Sequence, residues 1–117
     1  MYEGMYSFEF TGKEGSGVGA FVLSGWRAYG SDGGVMYDGH YQPNSSQKGL
    51  LDVQMRLTVP AGTALVTGVP AQPADYWFDI QVVIAARGRT PMLLRTPYGE
   101  VEVVVMFLRE VPREVAA

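Results

Sequence analysis

The stretch TGKEGSGVGAF (residues 11–21) decides the fold, because its glycines read either as a phosphate cradle or as the turn of a β-hairpin. Gly15, Gly17 and Ala20 fit the dinucleotide fingerprint G-x-G-x-x-G/A, in which glycines let the backbone approach a pyrophosphate at a helix N-terminus. That fingerprint needs a helix after its glycines and a crossover of about a dozen residues or more. Here Val18, Phe21 and Val22 favour extended backbone, and Gly19 and Gly25 interrupt any helix. Upstream, Tyr6, Phe8 and Phe10 alternate with Ser7 and Glu9, the period of two that sets aromatics on one face of a strand. Residues 11–16 are therefore a turn between two strands, and the phosphate reading is rejected.

The same logic carries along the chain. GWRAYG reads as a short strand running into SDGG, where Asp32-Gly33 predicts a two-residue hairpin. VMYDGHYQ, ending at Pro43, is the next strand, and PNSSQKG a polar loop. In LLDVQMRLTV, Leu51, Val53, Met55, Leu57 and Val59 alternate with polar residues, as a half-buried strand does. Residues 60–75 hold three prolines and two glycines before Trp77 and so form an irregular connection across one end of the fold, with TALVTG as a possible short strand. YWFDIQVVIAA resumes a strand with Tyr76, Phe78, Ile80, Val82 and Ile84 on one face. ARGRTP turns the chain into MLLRT, and PYGE turns it into VEVVVMFLREV. That last strand is apolar on both faces between Val103 and Leu108, so its outer side calls for a cover.

About eight strands with short connections and no helical period predict an all-β, single-domain, eight-stranded antiparallel, lipocalin-like barrel, closed so as to leave no edges; an open sandwich is the alternative. The barrel is expected over residues 1–112, with residues 113–117 as a tail. At this strand number the interior is filled by side chains or holds one small ligand, and Tyr6, Phe8, Met55, Leu57, Phe78 and Ile80 are its candidate lining.

Composition narrows the function. The chain of 117 residues carries a net charge of −3, and its nine lysines and arginines are scattered, so the footprint of direct nucleic-acid binding is missing. With no cysteine, disulfides and thiolate chemistry are ruled out, and a reducing cytoplasm is permitted. No apolar run approaches the ~20 residues of a membrane span, and MYEGMYSFEF has no signal-peptide pattern. His40 is the sole histidine, so a histidine metal cluster cannot form, and no nucleophile, base and orienting group can be named together. The expectation is a protein with no enzymatic activity, catalytic residue, metal or cofactor. Trp77 alternates outward beside Asp79 and Gln81, and outward tryptophans often sit at interfaces. The strand around Trp77, or the last strand with Met106, is the candidate contact for a homodimer.

EGMYSFEF, GVGAFVLSG, the corner Gly30-Ser31-Asp32, and YDGHY with Tyr37 and Gly39 follow in the order and spacing of a known pattern. Over the first forty-two or so residues the chain resembles the GrlR-like negative regulators of bacterial type III secretion. The resemblance implies a small cytoplasmic eight-stranded β-barrel, usually dimeric, that binds a transcriptional activator and keeps it from DNA. Gly30, Asp32, Tyr37 and Gly39 are the motif residues it transfers. Two departures stand out: Ser31 replaces the motif's second glycine, and the loop at residues 42–49, QPNSSQKG, lacks the acidic run through which the family's regulator meets its activator. An apolar small molecule in the barrel interior is the rival occupant, since a fold alone does not select a function.

Overall fold

A computed structural model describes residues 3–112; residues 113–117, read above as a tail, lie outside the described residues. The glycine-rich stretch is a hairpin. Strand β1 (Gly4–Gly12) pairs antiparallel with β2 (Gly15–Ser24), leaving only Lys13 and Glu14 in the turn. The register sets Phe8 opposite Gly19 and Phe10 opposite Gly17. A Cβ at either glycine would collide with the facing ring. The glycines therefore seat two phenylalanines flat against the neighbouring strand, the way aromatic side chains cover glycines in sheets.

The remaining strands are β3 (Arg27–Ser31), β4 (Met36–Pro43), β5 (Leu50–Val59), β6 (Tyr76–Ala85), β7 (Arg89–Thr96) and β8 (Gly99–Arg109). All eight join one antiparallel sheet in the order β6-β5-β4-β3-β2-β1-β8-β7. The sheet curls into a nearly closed barrel, flattened to 43 × 37 × 20 Å. It closes through β1 and β8, while β6 and β7, which are consecutive in the chain, run side by side without forming a ladder. Full closure was expected; the short turn at residues 86–88 instead splays its two strands. At the turn, the Thr90 hydroxyl rather than a β7 carbonyl accepts from the Ala85 amide, at 2.9 Å.

Three local expectations need correction. The connection after Ser31 has four residues, not two. Asp32 Oδ1 accepts from the amides of Gly34 and Val35 at 2.9 and 2.8 Å, and only Gly33 of the Asp32-Gly33 pair has a positive φ, 93°. The two-residue turn with both φ positive lies instead at Gly25 (58°) and Trp26 (68°), where Glu3 accepts from the Gly25 amide. TALVTG forms turns rather than a strand, and Thr90-Pro91 belongs to β7, where a proline is tolerated because β7 is an edge.

The interior divides in two. At the end bearing the turns at residues 25–26 and 86–88, Tyr6, Leu23, Leu51, Val53 and Ile84 are fully buried and form a solid plug. The Tyr6 ring stacks on Phe21 at 5.0 Å, and its hydroxyl donates to the Ala86 carbonyl at 2.7 Å. The outer wall also divides. Across β3 to β6, Arg27 pairs with Asp38 at 2.8 Å and Arg56 with Asp79 at 3.0 Å, exposed contacts that contribute little stability. Across β8, β1 and β2 the outward residues include Val104, Met106, Met5, Val18, Ala20 and Val22, with Glu9 standing between Val18 and Val104, and the segment at residues 60–75 does not cover Met106 or Leu108, which stay exposed.

Candidate functional site

The half of the barrel beyond the plug is hollow, with a cavity of about 370 Å³. Its wall is built by alternation: Phe8 and Phe10 from β1, Phe21 from β2, Tyr37 from β4, Met55 and Leu57 from β5, Phe78, Ile80 and Val82 from β6, Met92 and Leu94 from β7, and Val101, Val103 and Val105 from β8. Five of the six expected lining residues, Phe8, Met55, Leu57, Phe78 and Ile80, meet there. Tyr6 does not; it belongs to the plug, where its hydroxyl is tied to Ala86. Burial pushes that phenol up to about 12.

The open end is roofed by residues 60–75. Leu65 and Val66 dip onto the core, and Thr63 and Thr67 also face the cavity. The roof is bonded mainly to itself, through Gly62 N to Gln72 O at 2.9 Å and Leu65 N to Val69 O at 2.9 Å. It meets the rest of the barrel where the Glu14 amide donates to the Val66 carbonyl at 2.7 Å. Gly12 makes this approach possible, since a Cβ there would lie 2.6 Å from the Val66 oxygen. The β6/β7 seam is stitched at the same end by Tyr98, whose ring packs edge-on against Phe78 at 5.3 Å and Tyr76 at 5.8 Å. Sequence reading missed the roof residues and the contributions of β7 and β8. Leu65-Val66, an apolar pair inside a proline- and glycine-rich connection, was the available signal.

The four motif residues cluster around the β3–β4 turn. Tyr37 donates to Asp32 Oδ2 at 2.9 Å, and its ring stacks on Phe8 at 5.3 Å. Desolvation, and then the neighbouring Asp32 carboxylate, raise the Tyr37 phenol far above its ordinary value, so the hydroxyl stays a donor. Gly30 faces Tyr37 in the register, and a Cβ on it would strike the Ala20 carbonyl and Phe21. A Cβ on Gly39 would overlap the Gln54 carbonyl. These two glycines let β2, β3, β4 and β5 approach closely where the sheet curls, and Asp32 and Tyr37 lock the turn.

Trp77 is 54% exposed, as alternation predicted, and Met106 43%; the two lie on different parts of the outer wall. Trp77 lies on β6, beneath the Arg56 guanidinium at 3.6 Å, within the charged wall. Met106 lies on β8 in the apolar wall, opposite Ser7. His40 stands exposed on the outside of β4, and among the described residues no group of three or more acidic, histidine or cysteine side chains is placed to hold a metal. Among the described residues, no helix is long and apolar enough to cross a membrane. No protein-family model matches the chain, and no curated protein matches it significantly.

Proposed function

We propose that this protein is a non-enzymatic binding protein that holds a small apolar ligand inside its barrel. The observation that carries this reading is the cavity. Its volume of about 370 Å³ falls inside the range of about 300–1,000 Å³ that small-molecule sites occupy, and its walls are aliphatic and aromatic. Packed cores leave few voids larger than a water molecule, so a space this size is not a packing defect. The carboxylate on its wall, Asp32, is engaged by two amides and a phenol, which suits a structural role better than proton transfer. Titration with Nile red, an uncharged apolar dye, is the test. Saturable binding is expected, weakened at least about tenfold by Ile80→Phe, which fills the cavity, with the urea midpoint preserved. Fluorescence that rises without saturation, or that Ile80→Phe leaves unchanged, would overturn the reading.

The apolar wall favours a second reading, the one implied by the resemblance to GrlR-like regulators: a cytoplasmic dimer that sequesters a transcriptional activator. Met5 faces Val22, Val22 faces Tyr29, and Met106 lies beside Ser7, giving a largely apolar surface, broken by Glu9 between Val18 and Val104, that suits a protein partner. The loop at residues 42–49 offers no acid for a basic partner, so the wall is the better candidate surface. Co-expression with activators encoded beside the gene tests it: a complex lost on Met106→Lys but kept in Ile80→Phe is expected, and failure of any complex to form removes this reading.

A further inference from the structure

Among the described residues, one charged side chain lines the cavity, and it specifies the occupant if the cavity holds a ligand as proposed above. Asp32 is half-buried at the roofed end, where the β3–β4 turn meets the roof: a Cβ on Gly34 would lie 3.5 Å from the Thr63 methyl and 3.6 Å from Asp32 Oδ1. Oδ1 is occupied by the amides of Gly34 and Val35, whereas Oδ2 receives only the Tyr37 hydroxyl and keeps room for another donor. Those three partners are neutral. Arg27, Arg56, Arg87 and Arg95 each pair with a carboxylate, but none of the ion pairs among the described residues includes Asp32, and no described lysine, arginine or histidine lines the cavity.

That uncompensated charge ranks the possible head groups. A carboxylate head would meet Asp32 with no cation between them, and like charges at close range repel. A hydroxyl would gain one hydrogen bond to Oδ2. An ammonium would gain the same bond in charge-assisted form, roughly twice as strong, together with the attraction of opposite charges. Its other donors turn toward Thr63 and toward water, which reaches Asp32 because that side chain is only partly buried, so the cation is not stripped of all its hydration. Aromatic rings adjoin the carboxylate: Tyr37 on Oδ2, Phe8 stacked on Tyr37 at 5.3 Å, and Phe10 at 5.9 Å from Phe8. Their faces attract ammonium groups as well. Toward the plug the wall carries no charge, with Val82 opposite the buried Val53 and Val105 opposite Thr90 near the turn at residues 86–88.

We propose that the ligand is a monovalent organic cation, an amine carrying an apolar chain or ring, whose ammonium sits against Asp32 Oδ2 under the roof while its apolar part reaches toward Val82 and Val105. The test is displacement of Nile red at about pH 7.5 by octylamine, 1-octanol and octanoate, which share one tail; there the amine is protonated and the acid ionised. Octylamine should displace the dye at least about fivefold more tightly than octanol, with octanoate the weakest. The chain's net charge of −3 draws any cation weakly to the surface, so the decisive variant is Asp32→Asn. Asparagine keeps Oδ1 for the two amides and offers Nδ2 to the Tyr37 oxygen, so the turn persists and the ratio of octylamine to octanol affinity should fall to about one. A preference that survives Asp32→Asn, or octanol or octanoate equalling octylamine on the wild type, would overturn the head-group assignment while leaving a cavity that binds the dye. On the wild type itself, nuclear Overhauser contacts should run from the nitrogen-bearing methylene to the Tyr37 ring and from the terminal methyl to Val105; the reversed orientation would refute the assignment even if Asp32→Asn does not fold. If the dye itself does not bind, the binding function fails and the head-group assignment with it.

Discussion

Single atoms decide several positions in this barrel. Gly39 has an ordinary φ, so conformational freedom does not explain it; the missing Cβ does, because the Gln54 carbonyl occupies its place. Gly33 is the reverse case, with a φ of 93° and open space around it. Gly39→Ala should therefore cost about 3 kcal/mol or more in urea unfolding, Gly33→Asn a few tenths, and Gly33→Val about 1–2 kcal/mol. Equal midpoints for Gly39→Ala and Gly33→Asn would refute this account. Tyr6 makes a pH-dependent contribution. Its phenol moves from an ordinary 10 up to about 12 on folding, mainly through burial. Below pH 10 the proton is bound in both states. Above it the unfolded chain loses the proton first, so stability falls as pH rises from about 10 to about 12, by on the order of 2 kcal/mol. Tyr6→Phe should flatten that decline in alkaline denaturation curves; Tyr37, raised in the same direction, contributes the remainder.

Among the elements, the roof governs access to the cavity. Its contact with the β1–β2 turn depends on Gly12, so Gly12→Val should lift residues 60–75 while leaving the strands paired. The expected result is an unchanged far-ultraviolet circular dichroism spectrum with Nile red associating and dissociating faster by about tenfold; unchanged rates would show that access lies elsewhere, such as the β6/β7 seam. The strands themselves were legible because each alternates over enough residues to declare a face, LLDVQMRLTV most clearly. The interior residues Phe8, Met55, Leu57, Phe78 and Ile80 followed from that alternation. What lay beyond reach was arithmetic of the whole: whether facing side chains fill the space or leave a hollow depends on barrel diameter and on which strands splay. Nothing local in ARGRT announces that β6 and β7 separate. The Asp32-Gly33 turn misled because Asp-Gly suits several turns, and here the Asp32 carboxylate, bridging two amides and Tyr37, selects a longer one.

At the scale of the molecule, the division of the outer wall predicts which face a second copy would use. Trp77 is occupied by Arg56, so sedimentation equilibrium at tens of micromolar should show a dimer that Met106→Lys dissociates and Trp77→Ala leaves intact; a monomer throughout would refute it. Charge predicts no measurable duplex DNA binding at physiological salt, because Arg27, Arg56, Arg87 and Arg95 are already paired with Asp38, Asp79, Glu110 and Glu100. The closure through β1 and β8 also bears on how the chain folds. Tyr6 and Phe107 face each other roughly a hundred positions apart, so this pairing carries the largest loop-closure entropy and the longest search of any in the sheet. A circular permutant cut between Arg87 and Gly88, with residue 112 joined to residue 3 by a short linker, would begin at β7 and end at β6. Its chain order would then match the spatial order of the sheet, and every pairing would become a hairpin between neighbours. Such a permutant should reach the same barrel with a lower contact order, folding about tenfold faster in stopped-flow experiments while unfolding at a similar rate.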